Sequence, residues 1–244
     1  LYTLTGKTNV TKQRGSILES TLLPGKKVIP VIHPSAALRE FLFRYYIVND
    51  FIRVRAESEF PEIRIRNRHL VLEPTMEDVE QFIARCRKLD RVAYDIEVRG
   101  MELSHIAIAS EPDMSVCIPF VNGQVDYWNP EQEAHIMCLL EGLLEDPNVE
   151  KIGQNLSFDA TFLYSKYSIV GKPLQDTMIA AGILYPDFPK GLDFLVAQYC
   201  DGEPYYKDDG KEWFKNPFGS EEIFRRYNAM DLSLIHISEP TRPY

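Results

Sequence analysis

Arg91-Val-Ala-Tyr-Asp-Ile-Glu-Val98 is the stretch that decides how the rest of the chain is interpreted. Apolar residues surround an Asp-x-Glu pair, which predicts a buried strand with two acids near its end. Because side chains at i and i+2 of a strand share one face, Asp95 and Glu97 are expected to point the same way. Neighbouring carboxylates repel each other unless a cation lies between them, but acids at a strand end are more often simply solvated. The choice depends on whether other acids reach the same place.

The composition is that of an ordinary globular protein, with 45% hydrophobic and 26% charged residues. No apolar run approaches the roughly 18 residues of a membrane helix, and no secretory signal opens the chain. Four widely separated cysteines (Cys86, Cys117, Cys138 and Cys200) predict free thiols in a reducing compartment. These features favour a cytoplasmic protein, in the host cell if the gene is viral, and no membrane partner.

Charge is distributed unevenly along the chain. The net charge is −9, yet residues 1–68 carry twelve Lys and Arg against six Asp and Glu. The acidic remainder argues against a broad duplex-binding surface but suits a metal site built from carboxylates. The arginines between positions 53 and 68 are open to two interpretations, as phosphate contacts or as part of a solvated linker.

The segments around the Asp-x-Glu strand predict an α/β fold. Thr75 and Asp78 predict the capped start of a helix before it. Two apolar strands follow it with short links, which favours a three-stranded antiparallel meander. A helix is then predicted over residues 130–145 and a short strand over 149–153. Three strands, a helix, a strand and further helices are typical of the ribonuclease H-like fold, a mixed sheet with flanking helices.

A third acid follows the fourth strand. Asn155 and Asp159 lie four positions apart on a helix predicted to begin near Leu156, and the ends of parallel strands bring them near the first strand. Phe158 and its apolar neighbours on this helix are expected to be buried, so solvation does not explain the acid.

A fourth acid lies near the end of the chain. Tyr227 and Asp231 are four positions apart on one face of a helix predicted to be capped by Ser220. A Tyr-x-x-x-Asp pair alone occurs often by chance, so its weight comes from its combination with the other two patterns.

Together the three patterns resemble the motifs of the DEDDy exonucleases, the proofreading 3′→5′ exonuclease domain of family A (DNA polymerase I-like) polymerases. The resemblance runs from about residue 70 to residue 231 and is closest at 151–160 and 174–184. It implies an enzyme that hydrolyses phosphodiester bonds at the 3′ end of single-stranded DNA, without a small-molecule cofactor. In the parent protein, a polymerase domain would follow in cis.

The resemblance also implies roles for the site residues. Two divalent ions, Mg²⁺ or Mn²⁺, would be held by Asp95, Glu97, Asp159 and Asp231, with Asp95 bridging both. Tyr227 would orient the attacking water.

Other residues are predicted to contact the nucleic acid. Asn155 and Phe158 would touch the terminal nucleotides, Phe158 by stacking. The loop 205–213 mixes aromatic residues with Lys207 and Lys211, and is either a guide for single-stranded DNA or a mobile surface loop.

The amino-terminal part carries a second resemblance. Residues 28–32 predict a buried strand that ends at His33, with a helix starting near Ser35, the place where open α/β sheets bind ligands. This stretch resembles, over about 45 residues, the carboxyl-terminal third of the bacterial and phage uracil-DNA glycosylase superfamily, especially its family 4 branch, whose pocket includes this histidine. That family's water-activating loop is missing, so His33 is expected to be vestigial. A glycosylase-like module before an exonuclease is reminiscent of large bacteriophage DNA polymerases.

These resemblances divide the chain into four segments. Residues 1–57 are the glycosylase-like fragment, 58–74 a linker and 75–231 an exonuclease domain truncated at its carboxyl end. Residues 232–244 resemble the in-frame translation of a transposase-based sequencing adapter, and are excluded from the fold assignment.

Three functions remain open. The first is a DNA-directed proofreading exonuclease, which the glycosylase-like segment favours. The second is an RNA exonuclease of the ribonuclease D type, which has the same four acids and tyrosine. The third is a catalytically silent scaffold domain, against which the presence of all five residues argues.

Overall fold

The computed structural model describes residues 1–64, 66–200, 203, 205 and 221–238. For residues 236–238 it describes only the helical backbone. The chain forms two units, one of residues 1–66 and 187–206 and the other of residues 67–186 and 207–244. Helices lie at Tyr2–Thr5 (α1), Val10–Gln13 (α2), Phe43–Glu57 (α3), Met76–Cys86 (α4), Pro130–Leu144 (α5), Leu156–Tyr167 (α6), Thr177–Leu184 (α7), Leu192–Tyr199 (α8) and Glu221–Ser238 (α9). Strands lie at Leu18–Glu19 (β1), Lys27–Val28 (β2), His69–Val71 (β3), Arg91–Arg99 (β4), Glu102–Glu111 (β5), Met114–Pro119 (β6), Val121–Asn122 (β7), Val125–Asp126 (β8), Glu150–Gly153 (β9) and Leu174–Asp176 (β10).

In the first unit, the predicted strand over residues 28–32 is wrong. Strand β2 ends at Val28 and pairs antiparallel with β1. Pro30 lacks the N–H that a continued ladder requires, and its carbonyl accepts instead from the Gly15 N–H at 3.0 Å. A 3-10 helix at Pro34–Leu38 and then α3 replace the single helix expected from Ser35.

The first unit has a small core of its own. Ile32, Tyr46 and Ile47 are buried and pack against Phe188 and Phe194 of the same unit. No sequence pattern predicted that residues 187–206 group with the amino-terminal segment.

In the second unit, a mixed sheet has the strand order β10-β9-β4-β5-β6-β3. Strands β4, β5 and β6 form the predicted antiparallel meander, and β9 runs parallel to β4. The Thr75–Asp78 capping box begins α4 as predicted. The mixed sheet with flanking helices confirms the ribonuclease H-like α/β fold.

The two faces of the meander differ because side chains alternate along each strand. One face carries large apolar residues, including Tyr94, Ile96, Ile106, Ile108 and Ile118, and these join α4 and α5 in the main core. The opposite face carries small residues, and α9 packs on it across β4, β5 and β6. Ala93, Ala107 and Ala109 are fully buried there, and their short side chains let the helix approach the sheet closely.

Helix α9 continues through the adapter-like segment to Ser238. Leu232, Ser233, Leu234 and Ile235 are all buried. Whatever the origin of this segment, the side chains of these four residues extend the buried part of the helix. Across the described ranges, none of the helices combines the length and apolarity needed to cross a membrane.

Candidate active site

Asp95 and Glu97 share one face of β4, as predicted, and it is the small-residue face of the sheet. In the strand register Asp95 is opposite Ala107 of β5 and Glu97 is opposite His105. Residues paired directly across an antiparallel ladder share a face, and this is the face that α9 covers. Both carboxylates therefore lie where the sheet meets α9, the helix with Tyr227 and Asp231.

Asp159 contacts β4 beyond the point where the neighbouring strand β9 ends. The parallel pairing of β4 with β9 ends at Ala93 and Ile152, which leaves the Ile96 N–H beyond the end of β9. That N–H donates to Oδ1 of Asp159 at 2.9 Å. A buried backbone N–H requires an acceptor, and the Asp159 carboxylate supplies the one that a longer β9 would have provided. The predicted convergence of the first and second motifs is present in this contact.

Burial raises the pKa of the Asp159 carboxyl group. The residue is 4% exposed, and desolvation is the main cause that raises the pKa of its carboxyl to about 6, while the Ile96 hydrogen bond opposes the shift. The negative charge of Asp176 raises this pKa further. A cation beside Asp159 would favour the ionised form and reverse the shift.

The turn from β9 into α6 is fixed by Asp176. Asn155 adopts a left-handed conformation with φ 62°, which Asn tolerates better than most residues. The Asp176 carboxylate accepts from the N–H groups of Asn155 at 3.0 Å and Leu156 at 2.8 Å. It also caps α7 by accepting from Met178 at 2.8 Å and Ile179. One carboxylate thus connects the start of α6 to the start of α7.

The predicted nucleotide-contacting residues of this turn face solvent. Asn155 is exposed, and the Phe158 side chain is 53% exposed, not buried as the apolar pattern of the helix predicted. The rings of Phe158 and Phe162 are stacked with centroids 6.4 Å apart. Leu163 fills the buried position on α6. The exposed ring of Phe158 suits a role in stacking on a base.

Helix α9 brings the third motif to the sheet. Asp231 is 6% exposed, and Tyr227 is half-buried with its ring stacked on Phe224 at 6.2 Å. Asn228, one residue after Tyr227, donates from Nδ2 to Oδ2 of Asp95 at 2.7 Å. The sequence motifs did not single out Asn228, although its place between Tyr227 and Asp231 was a signal that could have found it.

A polar network anchors the start of α9. Glu221 accepts from Arg99 at 2.9 Å and from the Gly123 N–H at 3.2 Å. The Arg225 side chain is 2% exposed and bonds to Glu73 at 2.9 Å and to Asn122 at 3.1 Å. These contacts hold the turn of α9 that precedes Tyr227.

Three other predicted residues do not belong to the described part of this site. His33 is exposed in the first unit and caps the 3-10 helix by accepting from the Ser35 N–H at 3.2 Å. This contact gives it a local structural role. Lys207 and Lys211 are outside the described residues.

The donor set suits a hard divalent cation. Asp95, Glu97, Asp159 and Asp231 supply carboxylate oxygens, which Mg²⁺ and Mn²⁺ prefer. Among the residues that the structure describes, no group of three or more His, Cys, Asp or Glu side chains is already arranged around a cation position. Asp95 and Asp159 are instead held by Asn228 and Ile96. The fit therefore rests on ligand chemistry and on the burial of Asp159.

The fold and the placement of these motifs define a class, the ribonuclease H-like nucleases. A model of the family DNA_pol_A_exo1, described as 3′-5′ exonuclease, matches residues 74–237, more than half of the chain. The chain belongs to this 3′-5′ exonuclease family.

Solved structures share the fold at low sequence identity. The catalytic core of RRP6 from Trypanosoma brucei is 19% identical with a TM-score of 0.55, and the match covers 72% of this chain and 46% of that one. RNase D from Escherichia coli, an exoribonuclease involved in structured RNA processing, is 19% identical with a TM-score of 0.50, covering 69% and 42%. Trypanosoma brucei RNase D in complex with RNA U12 is 14% identical with a TM-score of 0.53, covering 72% and 63%. This chain spans less than half the length of the first two, and the likeness establishes the fold alone.

Proposed function

We propose that this exonuclease removes nucleotides from the 3′ end of single-stranded DNA with the help of two divalent ions, as the proofreading part of a DNA polymerase. The observation that carries the proposal is the pair of hydrogen bonds that joins the three motifs. Asn228 of the third motif bonds to Asp95 of the first, and Asp159 of the second bonds to the backbone of Ile96. These contacts connect the Asp95 and Asp159 carboxylates, and the helix that carries Asp231, to the same part of β4.

The reaction is the attack of water on the phosphorus of the last phosphodiester bond. The bond to the 3′ oxygen of the penultimate nucleotide breaks, and a nucleoside 5′-monophosphate leaves. Two divalent ions, when bound, would make a hydroxide nucleophile available at neutral pH and would stabilise charge on the leaving oxygen. Asp95, Glu97 and Asp231 would hold one ion, and Asp95 and Asp159 the other.

The remaining site residues would orient the reactants. The hydroxyl of the half-buried Tyr227 would position the attacking water from the face of α9 that also carries Asp231. Asn155 and Phe158 would hold the terminal nucleotide, since both face solvent at the start of the helix that carries Asp159. A base stacked on an exposed aromatic ring gains about 1–3 kcal/mol whatever its identity, which suits a nuclease without sequence preference.

The choice of DNA over RNA and the polymerase context rest on the resemblance to family A polymerases and on the matched family. The glycosylase-like amino-terminal segment adds to the case for DNA. His33 would be a remnant of that module, and Lys207 and Lys211 would guide the strand. The four segments with boundaries at residues 57, 74 and 231, including an adapter-derived end, remain part of this proposal.

Degradation of a 5′-labelled single-stranded DNA and of an RNA of the same sequence tests the proposal. In Mg²⁺ or Mn²⁺, the DNA is expected to shorten stepwise from its 3′ end, and Asp159→Ala is expected to abolish the ladder. Glu131→Gln, which changes an exposed acid on α5, serves as the matched control and should keep full activity. Equal or faster degradation of RNA would favour the ribonuclease D type. No cleavage by a folded protein would favour the scaffold.

A further inference from the structure

Asn228 links the third motif to the first through a hydrogen bond to the partly buried Asp95. The Asn228 side chain is 0% exposed, and Nδ2 donates to Oδ2 of Asp95 at 2.7 Å. A carboxylate oxygen only accepts at this distance, so the amide nitrogen must face Asp95. The orientation of the amide is therefore fixed at this end by chemistry.

Cys117 fixes the other end of the same amide. Its Sγ lies 3.7 Å from Oδ1 of Asn228, within range for a thiol donor. Burial raises the pKa of the Cys117 thiol far above its usual range, so the thiol stays protonated and can donate. A chain of donors thus runs from Cys117 through the Asn228 amide to Asp95.

The strand register explains why the amide fits between these two residues. Asp95, Ala107 and Cys117 are paired across β4, β5 and β6 and form one row on the face under α9. Ala107 in the middle has only a methyl group, which leaves space above it. The Asn228 side chain spans that space from α9 and contacts both ends of the row.

We propose that Asn228, oriented by Cys117, is a positioning residue that holds the Asp95 carboxylate in the orientation in which it binds a divalent ion. The inference rests on the proposed function, in which Asp95 is a metal ligand. Hydrogen bonds to a metal-binding carboxylate orient it, and their loss usually costs 10–100-fold in metal affinity or activity.

Contacts other than that of Asn228 also hold α9 on the sheet. The Ser115 hydroxyl donates to the Ala229 carbonyl at 3.1 Å, and the Ser233 hydroxyl donates to the Pro112 carbonyl. On α9, both contacts lie within five residues of Asn228. Their partners lie on strand β6 and on the turn that precedes it. Loss of the amide is therefore expected to release the Asp95 side chain while the helix stays in place.

Titration of the full chain with Mn²⁺, followed by calorimetry and by the loss of the free-ion paramagnetic resonance signal, tests this inference. Asn228→Ala is expected to weaken Mn²⁺ binding at least tenfold while the far-ultraviolet circular dichroism spectrum in EDTA is unchanged. Cys117→Ala is expected to weaken binding several-fold, and Cys117→Ser, which restores a donor, to recover most of it. Cys138→Ala, an exposed cysteine on α5, is the matched control and should bind as the wild type does.

The outcomes separate the inference from the proposed function. Wild-type affinity in both Asn228→Ala and Cys117→Ala would overturn the positioning role while leaving the nuclease proposal intact. Failure of the wild-type chain itself to bind Mn²⁺ would overturn both. If Asn228→Ala does not fold, the two Cys117 variants decide the question, and equal affinity in them would contradict the inference.

Discussion

The Ile96 N–H donates to the Asp159 carboxylate at 2.9 Å, at the point where β9 has ended and β4 continues alone. The sheet thus leaves a backbone donor without a strand partner, and an acid on a helix fills the vacant position. This arrangement puts Asp159 between the two acids of the Asp-x-Glu pair along β4.

Replacement of Asp159 by Asn is expected to stabilise the metal-free protein at neutral pH. The carboxyl pKa is raised to about 6 in the folded protein from an ordinary value of 3.8, so the folded state binds the proton more tightly. Wild-type stability therefore falls as the pH rises from about 4 to about 6, and it stays lower above that range. Asn keeps the oxygen that accepts from Ile96 and does not ionise.

Urea unfolding in EDTA across this pH range measures the effect. The free energy of unfolding of Asp159→Asn should match that of the wild type near pH 4 and exceed it by about 2–3 kcal/mol at pH 7. Mg²⁺ should narrow the difference, because it would stabilise the ionised wild-type carboxylate. A difference that does not change between pH 4 and pH 7 would contradict the assignment.

Asp176→Ala is expected to loosen the turn that presents Asn155 and Phe158. The carboxylate accepts four backbone N–H groups, two at the start of α6 and two at the start of α7. A hydrogen bond to a charged group contributes about 1.5–3 kcal/mol. Because four such bonds are lost, the free energy of unfolding is expected to fall by at least about 2 kcal/mol.

The KM for DNA should also rise more than kcat falls in this variant, because the turn would position nucleotides without supplying a metal ligand. Asp193→Ala, an exposed acid in the first turn of α8, is the comparison and should leave both constants and the stability unchanged. A stable Asp176→Ala protein with an unchanged KM would show that the turn holds without the carboxylate.

Gly153→Ala is expected to be destabilising by about 1–3 kcal/mol. A Cβ at this position would lie 2.2 Å from the Leu156 side chain and 3.1 Å from the Tyr94 carbonyl oxygen. The backbone oxygen cannot move without disturbing β4. Gly142→Ala on α5 is the matched control, since its Cβ would meet nothing closer than the Arg87 side chain at 3.5 Å. That change should raise the thermal midpoint, because Ala favours helix over Gly.

Phe158→Ala is expected to weaken substrate binding and to leave stability nearly unchanged. The ring is half exposed, so its removal costs little packing, but a stacked base would lose about 1–3 kcal/mol. Fluorescence anisotropy with a labelled single-stranded oligonucleotide in Ca²⁺ measures the Kd. Tyr164→Ala removes a ring of similar exposure from the same helix and should keep the wild-type Kd. Equal losses in both variants would argue against a specific stacking role.

The sequence predicted the parts of the fold that depend on alternation and capping. The β4–β6 meander, the start of α6 at Leu156 and the Thr75 cap follow from local patterns, and the structure has all three. The strand over residues 28–32 failed because its apolar run contains Pro30, whose missing N–H outweighs the hydrophobic pattern.

The site was predictable only as far as its motifs. Spacing placed Asp95, Glu97 and Asp159 together, but it did not show that Asp159 replaces a strand partner. A role for Asn228 was not predicted because it depends on Ala107 and Cys117. These residues lie on neighbouring strands, and only the strand register places them beneath Asn228. Likewise, the apolar residues after Asp231 are buried because any suitably spaced apolar sequence can continue an amphipathic helix.

The most direct test of the account is the identity of the first product from a single-stranded DNA labelled in its 3′-terminal nucleotide. With Mg²⁺, the wild-type chain should release the label as a nucleoside 5′-monophosphate at the earliest time points, and EDTA should prevent release. Asp95→Asn, which preserves volume and can still accept from Asn228, should reduce the rate by a factor of at least about a thousand, as expected if Asp95 is a metal ligand of the proposed site. Release of labelled oligonucleotides, or wild-type rates in Asp95→Asn, would contradict the proposed site.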